Sequence, residues 1–382
     1  MTDLIVASLE RWDAVWRRNQ HLLDGLLQVD PYLRILFVEP AADPLHDLSE
    51  RRRPQVGKRA RSAGGSGRLW TFRPVKLLPR RLDARADRRI VDGILGAARR
   101  LGFTDPVLWI NDPGLAGLVE VTGWPALYDI TDDWLAADRT QAELARLSRS
   151  ERLLLERASE VVVCSPELVR RKSPMRSVER HPIVLIPNAV DVASYRLPRE
   201  RPADLPPGRT AVYAGTLHVD RFDVELTAQT ARMFGGDVTV VLVGPNLLGE
   251  DAVKSLDRSG VVMLGPRSPE DLVAYLQHAD VLIVPHTVDA FTDSLDPIKL
   301  YEYQAVGRPV VSTPVAGFRD ADDDRIVIAD AVEFPAAVLA AVAASKPFPA
   351  GADRDVPDWS TRVAAMRRVL SELTPRSESS LG

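Results

Sequence analysis

Short apolar runs alternate with longer stretches whose apolar residues recur every three or four positions. That rhythm predicts strands followed by amphipathic helices. "DLIVASL" reads as a buried strand and "YLRILFVEP" as another. Between them, "ERWDAVWRRNQHLLDGLLQV" reads as a helix with Val15, Leu22, Leu23, Leu26 and Leu27 on one face. Such a strand–helix–strand unit closes as a right-handed crossover in a parallel sheet. The pattern continues with helix "RRIVDGILGAARRLGF", strand "PVLWIND", helix "GLAGLVEVTG" and strand plus loop "PALYDITDDW". Helix "ELARLSRSERLLLERASE", strand "VVVCS", short helix "PELVRRK" and strand "IVLIPNAVD" follow.

Residues 196–208, "RLPRERPADLPPG", are rich in proline and poor in apolar groups, which is a linker composition. The alternation then restarts with "TAVYAGTL" and runs through "DVELTAQTARMF", "DVTVVLVGP", "GVVMLGP", "SPEDLVAYLQHA", "DVLIVPHTV", "DSLDPIKLYEYQAVG", "PVVSTPV" and "RIVIA". It closes with helices "FPAAVLAAVAASK" and "DWSTRVAAMRRVLSEL". The expected organisation is an N-terminal Rossmann-like domain over 1–195, a linker over 196–208 and a second Rossmann-like domain over 209–355. A C-terminal helix over 356–374 should pack back on the first domain, and the tail 375–382 should be disordered. Strands rich in Val, Ile and Leu belong to parallel sheets covered on both faces. Ligands of such sheets bind at the carboxyl ends of the strands, and with two domains the default site is the cleft between them.

Composition narrows this picture little. The chain has 382 residues, 45% hydrophobic and 27% charged, which is ordinary for a soluble protein. No apolar run is long enough to span a bilayer, and "MTDLIVASLERW" lacks a secretory leader. The single cysteine, Cys164, excludes an internal disulfide and a cysteine-based zinc site. The expected location is the cytoplasm. Charge matters more: residues 51–100 hold 16 Lys+Arg against Asp83, Asp87 and Asp92, a balance of +13 within a chain of net −4. Its first part, with Gly64, Gly65 and Gly67, reads as a flexible loop. Its second part interleaves Leu69, Trp70, Phe72, Val75, Leu77 and Leu78 with Arg and Lys. Residues 51–89 are therefore candidates for a peripheral contact with anionic lipid at the inner membrane face, or for a solvated basic loop. No nucleic-acid partner is expected.

The order of "IPNAVD", "AGTL", "VGP", "LGPRSPEDL", "ADVLIVP" and "KLYEYQAVGRPVV" resembles the GT4-like group (glycosyl transferases group 1) of GT-B glycosyltransferases. "WDAVWRRNQHLL", "VLWINDPGLA", "YDITDDW" and "VVVCSPELVRRK" extend the resemblance over nearly the whole chain. It implies an α/β GT-B fold: two Rossmann-like domains whose parallel sheets face across a cleft. It also implies a retaining, metal-independent transfer from a nucleoside-diphosphate sugar. The donor is a substrate, no cofactor is expected, and the acceptor is unknown.

The helix in "DSLDPIKLYEYQAVGRPVVST" is the centre of the resemblance. Asp296 suits an N-cap, Pro297 the first helical position, and Gly307 with Pro309 the stop. A helix N-terminus offers free N–H groups and partial positive charge to a diphosphate. Lys299 in the first turn can reach a phosphate oxygen, or can form a surface pair with Glu302. The resemblance implies that Glu302 holds the ribose hydroxyls. The family places a further Glu eight positions earlier, near the donor sugar; here that residue is Ser294. Asp293 or Ser294 would take part of its role.

Other candidates surround this helix in the sequence. Gly215 and Thr216 end a strand, where glycine lets a ligand approach the backbone. Arg221 either neutralises the leaving diphosphate or pairs with Asp220 or Asp223. Gly265 and Arg267 precede a helix capped by Ser268, in a loop where the resemblance places the nucleotide base. The loop after the first strand carries Arg11, Trp12, Trp16, Arg17 and Arg18 where relatives have small residues. These are candidate phosphate or acceptor contacts, or scaffold packing. Asp129, Asp132 and Asp133 cluster in "YDITDDW". Asp132 and Asp133 are the candidates to orient or deprotonate an acceptor hydroxyl, or to cap the next helix. "DITDD" does not match a D-x-D metal motif, and no metal site is expected.

The leading expectation is a hexosyltransferase of polysaccharide, cell-envelope glycoconjugate or natural-product biosynthesis. A GT-B sugar-nucleotide epimerase and a non-catalytic sugar-nucleotide-binding protein are the alternatives. A dinucleotide oxidoreductase is disfavoured, because no G-x-G-x-x-G follows the first strand.

Overall fold

The computed structural model describes residues 3–13, 16–45, 59–76, 83, 85–346, 348 and 355–373. The chain forms two compact units. Unit 1 comprises Met1–Leu135, Arg139–Ile186 and Ser360–Gly382, and unit 2 comprises Ala136–Asp138 and Pro187–Trp359.

Unit 1 begins with β1 (Asp3–Ala7), α1 (Arg18–Val29), β2 (Arg34–Val38), β3 (Arg61–Ala63), β4 (Leu69–Phe72) and α2 (Ala86–Arg100). It continues with β5 (Val107–Ile110), α3 (Gly117–Thr122), β6 (Ala126–Ile130), α4 (Gln141–Arg157), β7 (Glu160–Val163), α5 (Pro166–Lys172) and β8 (Val184–Leu185). Its sheet runs β3-β4-β2-β1-β5-β6-β7-β8. Every pairing is parallel except that of β3 with β4.

Unit 2 holds α6 (Val192–Arg196), β9 (Arg209–Ala214), α7 (Val224–Phe234), β10 (Val238–Val243), α8 (Glu250–Arg258), β11 (Val262–Gly265) and α9 (Pro269–His278). Then come β12 (Val281–Val284), α10 (Ile298–Val306), β13 (Val310–Ser312), β14 (Ile326–Ile328) and α11 (Phe334–Ala344). Its all-parallel sheet runs β11-β10-β9-β12-β13-β14, the doubly-wound order. The last helix, α12 (Trp359–Leu373), clusters with unit 1 from Ser360 onward.

The strand composition explains the layers. In β9, Val212 and Ala214 join one core while Ala211 and Tyr213 join the other; Leu282 and Val284 of β12 likewise oppose Val281 and Ile283. Alternate side chains thus feed two apolar layers, and both faces of the sheet are covered. Caps sharpen the helix starts. Ser165, Asp223 and Ser268 each accept from the backbone N–H three residues on. Thr140 and Glu143 make a reciprocal capping box on α4.

Several expectations change. The first helix begins at Arg18 rather than near residue 10. Gln20 donates to the Arg11 carbonyl at 2.9 Å and Trp12 packs edge-on against Phe37, so the preceding segment folds back as a loop. Val15 lies outside the described residues. The stretch read as a flexible basic loop contains β3 and β4. Leu69 and Phe72 are buried there, Trp70 packs against Phe103, and Arg68 donates to the carbonyls of Leu27, Asp30 and Leu33. These apolar groups serve the sheet, so they are not available to a lipid surface. The rest of the proposed membrane contact, 51–58, 77–82 and 84, lies outside the described residues, as does the tail 375–382.

The proline-rich segment is not a loose linker. Leu205 is buried, and Gln277 of α9 accepts from Arg199 N–H and donates to the carbonyls of Tyr195 and Leu197.

Candidate functional site

Unit 2 reverses its strand order between β9 and β12, and the ligand crevice of such a sheet opens at the carboxyl ends of those strands. Gly215 follows β9 with φ +138°, a conformation that favours glycine. Its neighbour Gly244, φ +148°, follows β10; a Cβ on Gly244 would lie 2.2 Å from the Gly215 carbonyl oxygen. The two strand ends therefore approach through bare backbone. A Cβ on Gly215 would lie 3.0 Å from Lys299 Nζ, so the missing side chain also makes room for the lysine.

Lys299 does not pair with Glu302 on the surface. Its Nζ donates to the Tyr213 hydroxyl at 2.7 Å and lies 3.4 Å from His286 Nε2. Tyr213 Oη and His286 Nε2 are 3.1 Å apart. Tyr213 comes from β9, His286 from the end of β12 and Lys299 from the first turn of α10, so three elements converge. Arg221 completes the group. Its Nε is buried without a hydrogen-bond partner, and its guanidinium stands over the Phe291 ring, 6.0 Å from the centroid. The alternative pairing partners are engaged elsewhere: Asp223 caps α7 and Asp220 lies beside His218.

This crowding of basic groups sets their protonation. Burial pushes the Lys299 ammonium well below its usual range, the Arg221 charge adds to that, and Glu302 only partly offsets it. Burial, then Lys299 and Arg221, push His286 well below the usual histidine range. Burial raises the Tyr213 hydroxyl. With Lys299 and His286 both pushed toward their neutral forms, an anion arriving beside them would favour the protonated lysine.

The N-terminus of α10 lies beside them. Pro297 is its N-cap and no side chain caps it. Asp296 is the correction. It accepts from Asn188 N–H at 2.5 Å and from the Tyr301 hydroxyl at 2.7 Å, and so ties the start of unit 2 to α10. The first N–H groups of α10 are left uncapped by side chains. Gly307, φ +77°, closes the helix as expected. Glu302, one turn on, accepts from the Tyr195 hydroxyl at 2.6 Å. Burial raises its carboxyl, while that hydrogen bond and Lys299 pull it back down. Its second oxygen is available for a further donor such as a vicinal diol.

The remaining candidates fall elsewhere. Ser294 is fully buried and donates to the Phe291 carbonyl at 2.7 Å, while Asp293 pairs with Arg319. Thr216 offers its carbonyl to Tyr213. Gly265, φ +75°, ends β11 with open space around its Cα. Arg267 is taken up by Asp204, Tyr275 and the Leu264 carbonyl, which pins the proline-rich segment to α9.

In unit 1 the charged candidates are largely paired. Arg18 is buried and binds both oxygens of buried Asp129, at 3.3 and 3.2 Å. Arg17 lies 3.3 Å from both Glu10 and Asp13, and Arg11 is exposed. Trp12 packs on Phe37 and donates its N–H to Glu39. Asp133 is buried against Arg171 at 3.0 Å and Lys172 at 2.7 Å, and Lys172 also meets Glu151 at 2.6 Å. Asp133 is thus part of a buried ion network that fastens α5. Asp132 is half-exposed and accepts from the Thr131 hydroxyl. Among the described residues, the ends of β1, β5 and β6 are joined by hydrogen bonds among Ser8, Asn19, Asn111 and the Asp129 carbonyl.

The sequence reading does not single out Tyr195, Tyr213 or His286. One signal was present: Tyr213 and His286 are polar-tipped residues at the ends of the two strands that flank the switch point.

Comparison with known proteins bears on the fold and on part of the chain. Residues 208–344 match the family model of glycosyl transferases group 1. A curated relative, the putative teichuronic acid biosynthesis glycosyltransferase TuaH of Bacillus subtilis, is 23% identical over 218 residues, 54% of this chain and 55% of that protein. The match therefore spans about half the length of the relative. Sucrose-phosphate synthase of Thermosynechococcus elongatus superposes with TM-score 0.66 at 17% identity, covering 98% of this chain and 99% of that one. Anabaena HepE, solved in complex with UDP-glucose, gives TM-score 0.66 at 16% identity over 97% of this chain and 100% of that one. With its two parallel-sheet units, the chain has the fold of the GT-B glycosyltransferase structures it superposes on, and its segment 208–344 is similar to the glycosyl transferases group 1 family.

Proposed function

We propose that the protein transfers a sugar from a nucleoside-diphosphate sugar to an acceptor hydroxyl, with retention of configuration. The observation that carries the reading is the cluster of Lys299, Arg221 and His286 beside the uncapped N-terminus of α10 and bare Gly215. Fixed cations and backbone N–H groups suit a leaving diphosphate, where negative charge develops in the transition state. Glu302, oriented by Tyr195, would accept from the ribose hydroxyls. Charge neutralisation by Lys299 and Arg221 would make a divalent cation on the donor unnecessary.

Retention would follow if a donor phosphate oxygen assists the incoming hydroxyl on the face from which the diphosphate leaves. Glu302, the carboxylate one turn from Lys299, is engaged with Tyr195, which suits it to holding the donor rather than to attacking it. Of the two unit 1 candidates, Asp132 remains for the acceptor side. Asp133 fits a structural role, since its charge is met by Arg171 and Lys172. The teichuronic acid name of one relative and the UDP-glucose bound by another favour polysaccharide or envelope glycoconjugate synthesis from a UDP-sugar.

A binding protein without transfer activity is the second reading, favoured by buried Ser294 at the position where the family has a carboxylate. Incubation with labelled UDP-sugars and an envelope acceptor extract separates the two. The transfer reading predicts UDP release and a product with the donor's anomeric configuration. An inverted product would refute retention, and binding without acceptor-dependent release would support the second reading.

A further inference from the structure

Away from the donor cluster, unit 1 gathers three potential metal ligands from three separate places. Glu160 is the first residue of β7, His181 lies in the segment before β8, and Glu372 is in the last turn of α12. One ligand atom from each lies within 4.8 Å of the others. Glu160 is 3% exposed at its side chain, and its one hydrogen-bonding partner among the described residues is His181 Nδ1. Glu372 makes no hydrogen bond or ion pair among those residues. Two carboxylates and an imidazole are thus held close together.

A neighbouring cation relieves this only in part. Arg176 feels the charge of Glu160, but its donors go to carbonyls: His181 at 2.8 Å, Leu155 at 2.9 Å, Ala158 at 3.2 Å and Ser159 at 2.9 Å. Its effect is positional. By gripping the His181 carbonyl it fixes the loop that presents the imidazole, as outer-shell groups do around metal ligands.

We infer that Glu160, His181 and Glu372 form a binding site for a divalent cation of the zinc type. One imidazole and two carboxylates are a three-ligand set that zinc accepts, with water completing the tetrahedron. Magnesium and calcium prefer all-oxygen sets with more ligands. Tetrahedral zinc needs ligand atoms roughly 3.4 Å apart. The set therefore closes by a small movement of Glu372, which is exposed and near the helix end. The bound ion would clasp the end of α12 to the start of β7. This inference is independent of the transferase reading.

The test is calorimetric titration of metal-stripped, full-length protein with ZnCl2, with MgCl2 and CaCl2 in parallel, beside a thermal-shift series. Zinc should bind and raise the melting temperature, because the ion binds the folded chain preferentially. Glu372→Gln and His181→Ala should each weaken zinc binding by about tenfold or more, as loss of even outer-shell groups does at such sites. Glu372→Gln changes an exposed side chain and should fold normally. Absence of zinc binding overturns the inference, as does binding that is unchanged in both variants. Stabilisation by acid that His181→Ala removes, with no response to zinc, would identify an imidazolium bridge instead and would equally overturn it.

Discussion

Lys299 and Glu302 sit one turn apart on α10, yet neither completes the other. Each is met by a tyrosine from a different part of unit 2. This arrangement makes the two residues separable by mutation. Glu302→Gln should weaken nucleoside-diphosphate binding by about ten- to a hundredfold, the range expected for losing charge-assisted hydrogen bonds. Tyr195→Phe should cost less, about fivefold, because it removes only the group that orients Glu302. Direct titration of both variants with UDP checks the order. The lowered Lys299 predicts a pH effect. Its neighbours are Tyr213, His286, Arg221 and Glu302; burial and Arg221 disfavour its charge, and Glu302 only partly offsets them. A diphosphate should restore the proton, so binding should be accompanied by proton uptake. Affinity should then fall as pH rises through the lowered Lys299 value. Calorimetry in buffers of different ionisation enthalpy reads the uptake, and Lys299→Met should abolish it. For stability the sign runs the other way. His286 is held neutral in the fold, so below the ordinary histidine pKa the unfolded chain binds the extra proton and stability falls with pH. His286→Gln should flatten that acid loss in a melting-temperature series.

At the level of elements, the strands and most helices were legible because their apolar periods are clean. α5 (Pro166–Lys172) and α9 (Pro269–His278) match their written start signals, Ser165 or Ser268 followed by proline. The misses have physical causes. β3 and β4 lie in a run dominated by arginine and glycine, where short edge strands carry little pattern. α8 (Glu250–Arg258) buries only Leu256, so its apolar face was too thin to register. The segment before α1 was run into the helix because Val15 continues the apolar spacing of Leu22, Leu23, Leu26 and Leu27, but Trp12 packs on Phe37 of β2. α10 was legible through family resemblance, whereas the partners of its charges, Tyr213, His286 and Tyr195, come from other elements and were not. Asp133 shows the reverse error: a carboxylate at a strand end looks catalytic until its cations are seen. Lys172→Met would leave Asp133 and Glu151 buried without their shared cation and should destabilise the protein by about 3–5 kcal/mol. Chemical denaturation measures it. Gly244→Ala brings a Cβ against the Gly215 backbone and should cost about 2 kcal/mol or more, with a matching loss of nucleotide affinity.

For the whole molecule, two doubly-wound units of similar design carry different polar equipment at their strand ends. Unit 1 spends its charges on one another, as in Arg18–Asp129 and the Lys172 network. Unit 2 instead gathers the basic side chains of Lys299, His286 and Arg221 in one buried group. No helix among the described residues is long and apolar enough to cross a membrane. The account's central claim is that the cation group of unit 2 receives a nucleoside diphosphate. Isothermal titration of the full-length protein with UDP, GDP and ADP, alongside Lys299→Met and Glu302→Gln, tests it most directly. The account predicts saturable binding of at least one of these nucleotides, weakened about tenfold or more in each variant while the melting temperature of the free protein is retained. No binding by any of the three, or equal affinity in wild type and both variants, would contradict it.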